Sequence, residues 1–133
     1  MLIHIAPKFL DEVWPQVEPL LLPAVASNRD EATLAQVKMQ LAYGQADLLL
    51  WEVDAVLLGA GVVEFVQHPN KRVAHVSYAG GRQLMTPVMF AAVKAWCRQQ
   101  GASEIRALCG AAQARLFRRL GYEPIYSMIG VAL

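Results

Sequence analysis

The sequence predicts a single α/β domain: a mixed, mostly antiparallel twisted sheet flanked by helices. Three observations predict it. Apolar residues recur at three- and four-residue spacing in stretches early in the chain and again near its middle, the period of a helix face. Between these stretches lie runs of apolar and β-branched residues separated by short turn sequences, the pattern of an antiparallel meander. The second half then alternates helical and strand patterns, and glycine closes each of its two helices. The expected order is β-α-α-β-β-β-α-β-α-β over residues 1–133, with no linker, repeat or low-complexity tract to divide the domain.

Leu2 to Ile5 suits a short first strand. From Lys8 to Val25 the residues Leu10, Val13, Trp14, Val17, Leu20, Leu21 and Ala24 form a helical stripe. Pro15 and Pro19 lie inside it, and each removes a backbone donor and crowds the preceding turn, so a kinked or two-piece helix is expected. Asn28 with Glu31 fits a capping box for a second helix carrying Leu34, Val37 and Leu41 inward and stopping at Gly44. Asp47 to Val53 and Val56 to Val66 read as strands around a tight turn at Asp54-Ala55. Gly59 and Gly61 within the second strand suggest a bulge or a close backbone approach. After the turn at His68–Lys71, Arg72 to Tyr78 is a further strand, broken by Ala79-Gly80-Gly81. Thr86-Pro87 starts a helix that runs to Gln100 and ends at Gly101. Glu104 to Cys109 reads as a buried strand, Ala111 to Leu120 as a short helix ending at Gly121, and Ile125 to Leu133 as the last strand.

Composition excludes several function classes. The apolar share is 56% and the mean hydropathy is +0.32. The most apolar stretch, Leu48 to Val66, is broken by Glu52, Asp54 and Glu64, whereas a bilayer span needs about twenty mostly apolar residues with few charges. No signal-peptide pattern is seen at the start. Twelve basic against eleven acidic residues give a net charge of +1, with no global field pointing to nucleic acid or an anionic membrane. Cys97 and Cys109 are not a CxxC pair and do not make a disulfide framework. The expected protein is soluble and cytoplasmic, with both thiols acting as small buried hydrophobes. Trp14, Trp51 and Trp96 fall on apolar faces and are expected in the core or an interface.

Two local signatures, with the element order, resemble the GNAT (GCN5-related N-acetyltransferase) superfamily. "ARLFRRLGYEP", Ala114 to Pro124, is similar to the family's short last helix ending in Gly-Tyr or Gly-Phe. "VAHVSYAGGRQLMTPVMFAAVKAWCRQQGA", Val73 to Ala102, stands where the family holds the acyl-CoA pyrophosphate, with glycine backbone N–H groups in front of a helix N-terminus. "VWPQVEPLL", "ADLLLWEV", "HPNKRVAHVSYAGG" and "LFRRLGY" in this order resemble small GNAT-like proteins of tailed bacteriophages and prophages. The resemblance implies the acyl-CoA N-acyltransferase fold, acetyl-CoA or another acyl-CoA as substrate, and an amine acceptor. It also implies a bacterial host cytoplasm or association with a virion. Cofactor contacts carried over by it are Val76, Ser77, Gly80, Gly81, Arg82, Gln83, Leu84, Gly110, Phe117 and Arg118. The sequence departs from the family at three places: Gln83-Leu84-Met85 stands where a Gly-x-Gly belongs, Phe117 replaces a tyrosine acid, and Gly110 replaces an asparagine that often precedes the last helix.

Acyl transfer needs a base for the amine, a donor to polarise the thioester carbonyl, and a proton for the leaving thiolate. The resemblance puts the polarising backbone N–H near Val76 to Tyr78. Glu64, late in the third strand, could serve as base or simply face solvent. His75 could titrate near neutrality or be a hydrogen-bonded polar residue of the sheet. Tyr78 could supply the acid, and Tyr122 reads as core. His4 and His68 read as surface or turn residues, and the three histidines lack the spacing of a metal site, so no metal is expected. Arg115, Arg118 and Arg119 share one helix face, either beside Arg82 on the CoA phosphates or as a solvated face. Two readings stand: an N-acyltransferase, or a catalytically inactive domain of the same fold that binds a phage protein. The high apolar share suits a homodimer under either.

Overall fold

The computed structural model describes residues 1–82 and 86–133; Gln83, Leu84 and Met85 lie outside the described residues. The elements are β1 (Leu2–Ile5), a 3₁₀ turn (Pro7–Phe9), α1 (Leu10–Ala26), α2 (Leu34–Ala42), β2 (Asp47–Val53), β3 (Val56–Gln67), β4 (Arg72–Gly81), α3 (Pro87–Gln99), β5 (Glu104–Ala107) and α4 (Ala111–Arg118). One sheet carries all five strands in the order β1-β2-β3-β4-β5. The first three pairings are antiparallel and β4–β5 is parallel. A parallel partner needs a crossover, and α3 supplies it.

The two sheet faces are covered by different helices. Leu10, Trp14, Val17, Leu21 and Val25 of α1 and Val37 and Leu41 of α2 pack on Leu48, Leu50, Ala60 and Val62. On the other face, Val93 and Cys97 of α3 meet Leu49, Val63 and Ala74. Strand alternation sorts the residues: Ala60 and Val62 go to the α1 face and Val63 to the α3 face. Trp14 and Trp51 are buried, while Trp96 is half-buried between the rings of His4 and Phe65. Among the described residues, no helix is long and apolar enough to cross a membrane.

Several boundaries differ from expectation for physical reasons. Helix α1 is one continuous helix despite Pro15, Pro19 and Pro23. All three prolines are exposed and spaced by four, so they form a stripe on the solvent side, where water can serve the unpaired carbonyls. The α2 cap is Thr33, whose hydroxyl accepts from Gln36 N–H while the Gln36 side chain accepts from Thr33 N–H, and not Asn28 with Glu31. Strand β4 does not break at Ala79 but runs through Gly80 and Gly81. Strand β5 ends at Ala107, two residues early, and is half-buried. Cys109 is exposed, while Cys97 is buried.

The largest difference lies at the end of the described chain. Ile125–Leu133 forms no strand; from Tyr122 onward the chain has no regular structure. A strand needs a neighbouring edge for its N–H and C=O groups, and this segment pairs with none.

Candidate functional site: a cleft where β4 and β5 part

Strands β4 and β5 pair over four positions, from Val73 opposite Glu104 to Val76 opposite Ala107. Strand β4 continues through Ser77–Gly81 along β3, with no β5 partner among the described residues. The parting begins at a β-bulge: Val62 pairs with Tyr78 and Val63 with Val76, so Ser77 is the extra residue. Bulges of this kind re-aim side chains and end pairing. They leave main-chain groups on the free side of β4 for another partner.

Beside this parting, on the α3 face of the sheet, lies a cleft of about 560 Å³, floored by β2 at Leu49 and Trp51, β3 at Gly59 and Gly61 and β4 at Val76, Ala79 and Gly81, and covered by α3 at Met89 and Phe90 and by α4 at Leu116 and Phe117; its lining among the described residues includes none from β5. Its lining is mainly apolar, and Thr86 and Gln113 add polar groups near the helix N-termini. Tyr122 closes one end, its ring centroid 5.2 Å from that of Phe90 and 4.9 Å from that of Phe117. Burial pushes the Tyr122 hydroxyl up to about 12, with the nearby Cys97 thiolate a smaller cause.

On the opposite face of β4 a polar cluster gathers. Glu64 stands opposite His75 across the β3–β4 pair, and Ser77 donates its hydroxyl to the Glu64 carboxylate. The bulge turns Ser77 and Tyr78 to the same face. Tyr78 packs against the α1-side core, and its hydroxyl oxygen accepts from Asn28 Nδ2 at 3.1 Å. The same amide donates to the Ala32 carbonyl at 2.9 Å, which ties the α1–α2 loop to β4. All four cluster residues are half-buried. Among the described residues, no group of three or more His, Cys, Asp or Glu side chains could hold a metal ion.

The architecture matches solved structures over the whole chain. An aminoglycoside acetyltransferase from an uncultured soil metagenomic sample superposes with a TM-score of 0.71 at 14% identity, covering 100% of this chain and 95% of that one. A ribosomal-protein-alanine N-acetyltransferase from Brucella melitensis biovar Abortus 2308 gives 0.71 at 13% identity, covering 100% and 99%. An aminoglycoside N-acetyltransferase solved in complex with CoA gives 0.69 at 17% identity, covering 100% and 93%. No protein-family model and no curated protein matches the sequence. The fold is that of the GNAT acetyltransferases.

Within this GNAT fold the predicted residues separate into groups. Val76, Gly81 and Phe117 line the cleft, and Glu64, His75, Ser77 and Tyr78 gather behind β4. Gly80 and Gly81 are strand residues rather than a loop. A Cβ on Gly80 would stand 1.8 Å from the Leu20 carbonyl oxygen of α1, and one on Gly81 would stand 2.2 Å from that of Leu58. Gly81 also has φ +118, a conformation that glycine adopts readily. Close packing of β4 against α1 and β3 therefore requires these glycines. Arg82 is exposed, and its N–H donates to Leu58 C=O at 2.7 Å. Gly110 caps α4, with its N–H donating to Gln113 Oε1 at 3.2 Å. Arg115, Arg118 and Arg119 are exposed along α4. Gln83 and Leu84 lie outside the described residues.

Sequence reasoning missed Asn28, because its partner Tyr78 is fifty residues away. It also missed Met89 and Phe90 of α3 and Leu116 of α4, which line the cleft but read locally as ordinary apolar helix faces.

Proposed function

We propose that this protein binds an acyl-CoA where β4 parts from β5, along the apolar cleft on the α3 face of the sheet, and transfers the acyl group to an amine. The observation that carries the proposal is the parting of β4 from β5 at the Ser77 bulge, with an apolar cleft beside it, in a GNAT fold. An extended pantetheine arm needs main-chain partners along its length, and the unpaired side of Ser77–Gly81 offers them, as an added strand would find at a sheet edge. A CoA complex of one neighbour of this fold supports the choice of ligand.

In the proposed reaction the amine nitrogen attacks the thioester carbon, the C–N bond forms, and the C–S bond then breaks. A backbone N–H at the bulge stabilises the carbonyl oxygen as it becomes negative, an effect worth about 3 kcal/mol for a single well-placed donor. Glu64, oriented by Ser77, or His75 opposite it takes the amine proton. The thioester reaches through the parting to the α1 face, where the bulge turns Tyr78, and Tyr78 returns a proton there to the departing thiolate. Its oxygen already accepts from Asn28, so its own O–H remains to donate. Arg82 and the α4 arginines supply positive charge for the CoA phosphates. The resemblance to small phage-encoded proteins supports a role in an infected bacterial cytoplasm.

A second reading rests on Phe117. Its ring lines the cleft and packs on Tyr122, so the position that carries a tyrosine acid in the resembled family holds no proton donor. Under that reading the domain binds a phage protein and catalyses nothing.

Calorimetric titration with acetyl-CoA, CoA and a longer acyl-CoA tests the proposal. Saturable binding is expected, weakened in Arg82→Ala. Tyr78→Phe should bind as well as the wild type yet transfer roughly 100-fold more slowly to any amine found to be accepted. No binding at millimolar ligand by folded protein overturns the acyl-CoA reading and favours the second.

A further inference from the structure

On the α1 face the helical core reaches Val62 and Tyr78. Beyond it a polar row crosses three strands: Glu64 of β3 stands opposite His75 of β4, and His75 stands beside Arg106 of β5. All three face the same way, because their chain neighbours Phe65, Ala74 and Ile105 pack into the core under α3 and side chains alternate along a strand. Each is half-buried. Adjacent strands lie about 4.8 Å apart, so Glu64 and Arg106 are rooted about 10 Å apart with one imidazole between them.

Both ends of the row are held in place. Ser77 donates its hydroxyl to Glu64 from the bulge. Arg106 Nε donates to Glu104 Oε2 at 2.5 Å, and Nη1 donates to the Tyr126 hydroxyl oxygen at 3.1 Å. These bonds fix the guanidinium plane but use only two of its five N–H groups, so donors remain for a further partner. Lys71 Nζ lies 3.4 Å from the same Glu104 oxygen. Two cations therefore share one anion, and this end of the row keeps a net positive charge while Glu64 makes the other end negative.

We infer, building on the acyl-transfer proposal, that this row is the acceptor subsite and that the acceptor is an amino acid, a small molecule carrying an amine and a carboxylate together. The amine sits at Glu64 beside the Ser77 bulge, where its proton is taken. The carboxylate reaches past His75 to Arg106, whose forked N–H groups suit a planar anion. Charge decides against other acceptors. An alkylamine leaves the Arg106 donors unmatched, and a polyamine brings a second cation against Arg106 and Lys71. A peptide N-terminus carries no carboxylate close to its amine.

Product formation, read by mass spectrometry, tests the inference with two acceptor panels and the acyl-CoA found to bind. One panel holds free amino acids; the other holds the amines left when the α-carboxyl group is removed, such as tyramine for tyrosine and histamine for histidine. At least one amino acid should be acylated with a kcat/KM roughly 10-fold or more above that of its amine. Arg106→Gln should raise the KM for that amino acid roughly 10- to 100-fold with kcat nearly unchanged, as lost ground-state binding does, and leave the amine unaffected. Arg106→Lys keeps the charge and should restore part of the affinity. Glu104→Gln breaks the ion pair but keeps the guanidinium, and should retain the preference for the amino acid. Equal use of the two panels overturns the inference and leaves acyl transfer standing. So does a preference that survives Arg106→Gln in protein whose circular dichroism is unchanged. Where no acyl-CoA binds, saturation-transfer NMR with the free amino acids separates the two failures. A signal lost in Arg106→Gln keeps the subsite without the transferase, and no signal from the wild type removes both.

Discussion

At the scale of single residues, the backbone contact at Gly80 decides most. A Cβ there would press to 1.8 Å from the Leu20 carbonyl oxygen, and neither α1 nor β4 can yield without losing core contacts. Gly80→Ala should cost about 3 kcal/mol or more, read as a fall in the urea midpoint. An unchanged midpoint would mean that Gly80 is a free loop glycine. The two thiols make a second case. Burial pushes Cys97 up to about 11 from its usual 9.0, whereas Cys109 is exposed. Iodoacetamide at pH 8 should add one group to native protein and two to unfolded protein, counted by mass spectrometry. The raised value means that the folded state keeps a proton the unfolded chain has lost. Cys97 therefore contributes stability that is complete below about pH 9 and is lost as pH rises through 11. Urea midpoints measured from pH 8 to 10.5 should fall more steeply in wild type than in Cys97→Ala.

At the scale of elements, α1 shows how tertiary packing overrides a local rule. Each of its three prolines removes an intrahelical bond, yet the five buried residues of its inner stripe hold it as one helix. Pro19 is exposed and mid-helix, so Pro19→Ala should restore a backbone bond and raise stability by about 1–2 kcal/mol, read from the urea midpoint. A drop would mean that the proline shape itself is needed to curve α1 over β3 and β4. Strand β5 carries a smaller electrostatic device. The Arg106 hydrogen bond at 2.5 Å, with a lesser contribution from Lys71, holds the Glu104 carboxyl below the usual carboxylate range. A lowered value contributes stability above the unfolded carboxylate pKa that is lost as pH falls through the folded one. Both side chains are half-buried on the outermost strand, where solvent still screens the pair, so the effect is modest.

At the scale of the whole molecule, the sheet is intact from β1 to β4 and opens where β5 leaves it. The sheet separates two half-cores, one under α1 and α2 and one under α3, and the opening lies at the end of that divide. A ligand seated in the opening would bridge them. Under the acyl-CoA proposal, acetyl-CoA at 100 times its Kd should stabilise the protein by about 2.7 kcal/mol, seen as a rise in thermal midpoint that Arg82→Ala diminishes. No shift with ligand that binds by calorimetry would place binding away from the cooperative core.

Much of the architecture was legible before any coordinates. The periodicity of Leu10 to Val25, the Asp54-Ala55 hairpin, Thr86-Pro87 and Gly101 are local signals, and the structure follows them. Both turn residues Asp54 and Ala55 have positive φ, the conformation that a two-residue hairpin turn demands. Helix periods, caps and turns act over a few residues, so the sequence alone determined the strands and helices up to α4 and the kind of sheet they build. Only the tertiary structure decided the rest. The Ser77 bulge, the Asn28–Tyr78 bond and the press of Gly80 against Leu20 join residues distant in the chain. No local pattern encodes such register. The last segment makes the same point by its absence of structure. Ile125–Leu133 has every local mark of a strand, but a strand exists only against an edge, and which edge receives it is a property of the fold and its partners.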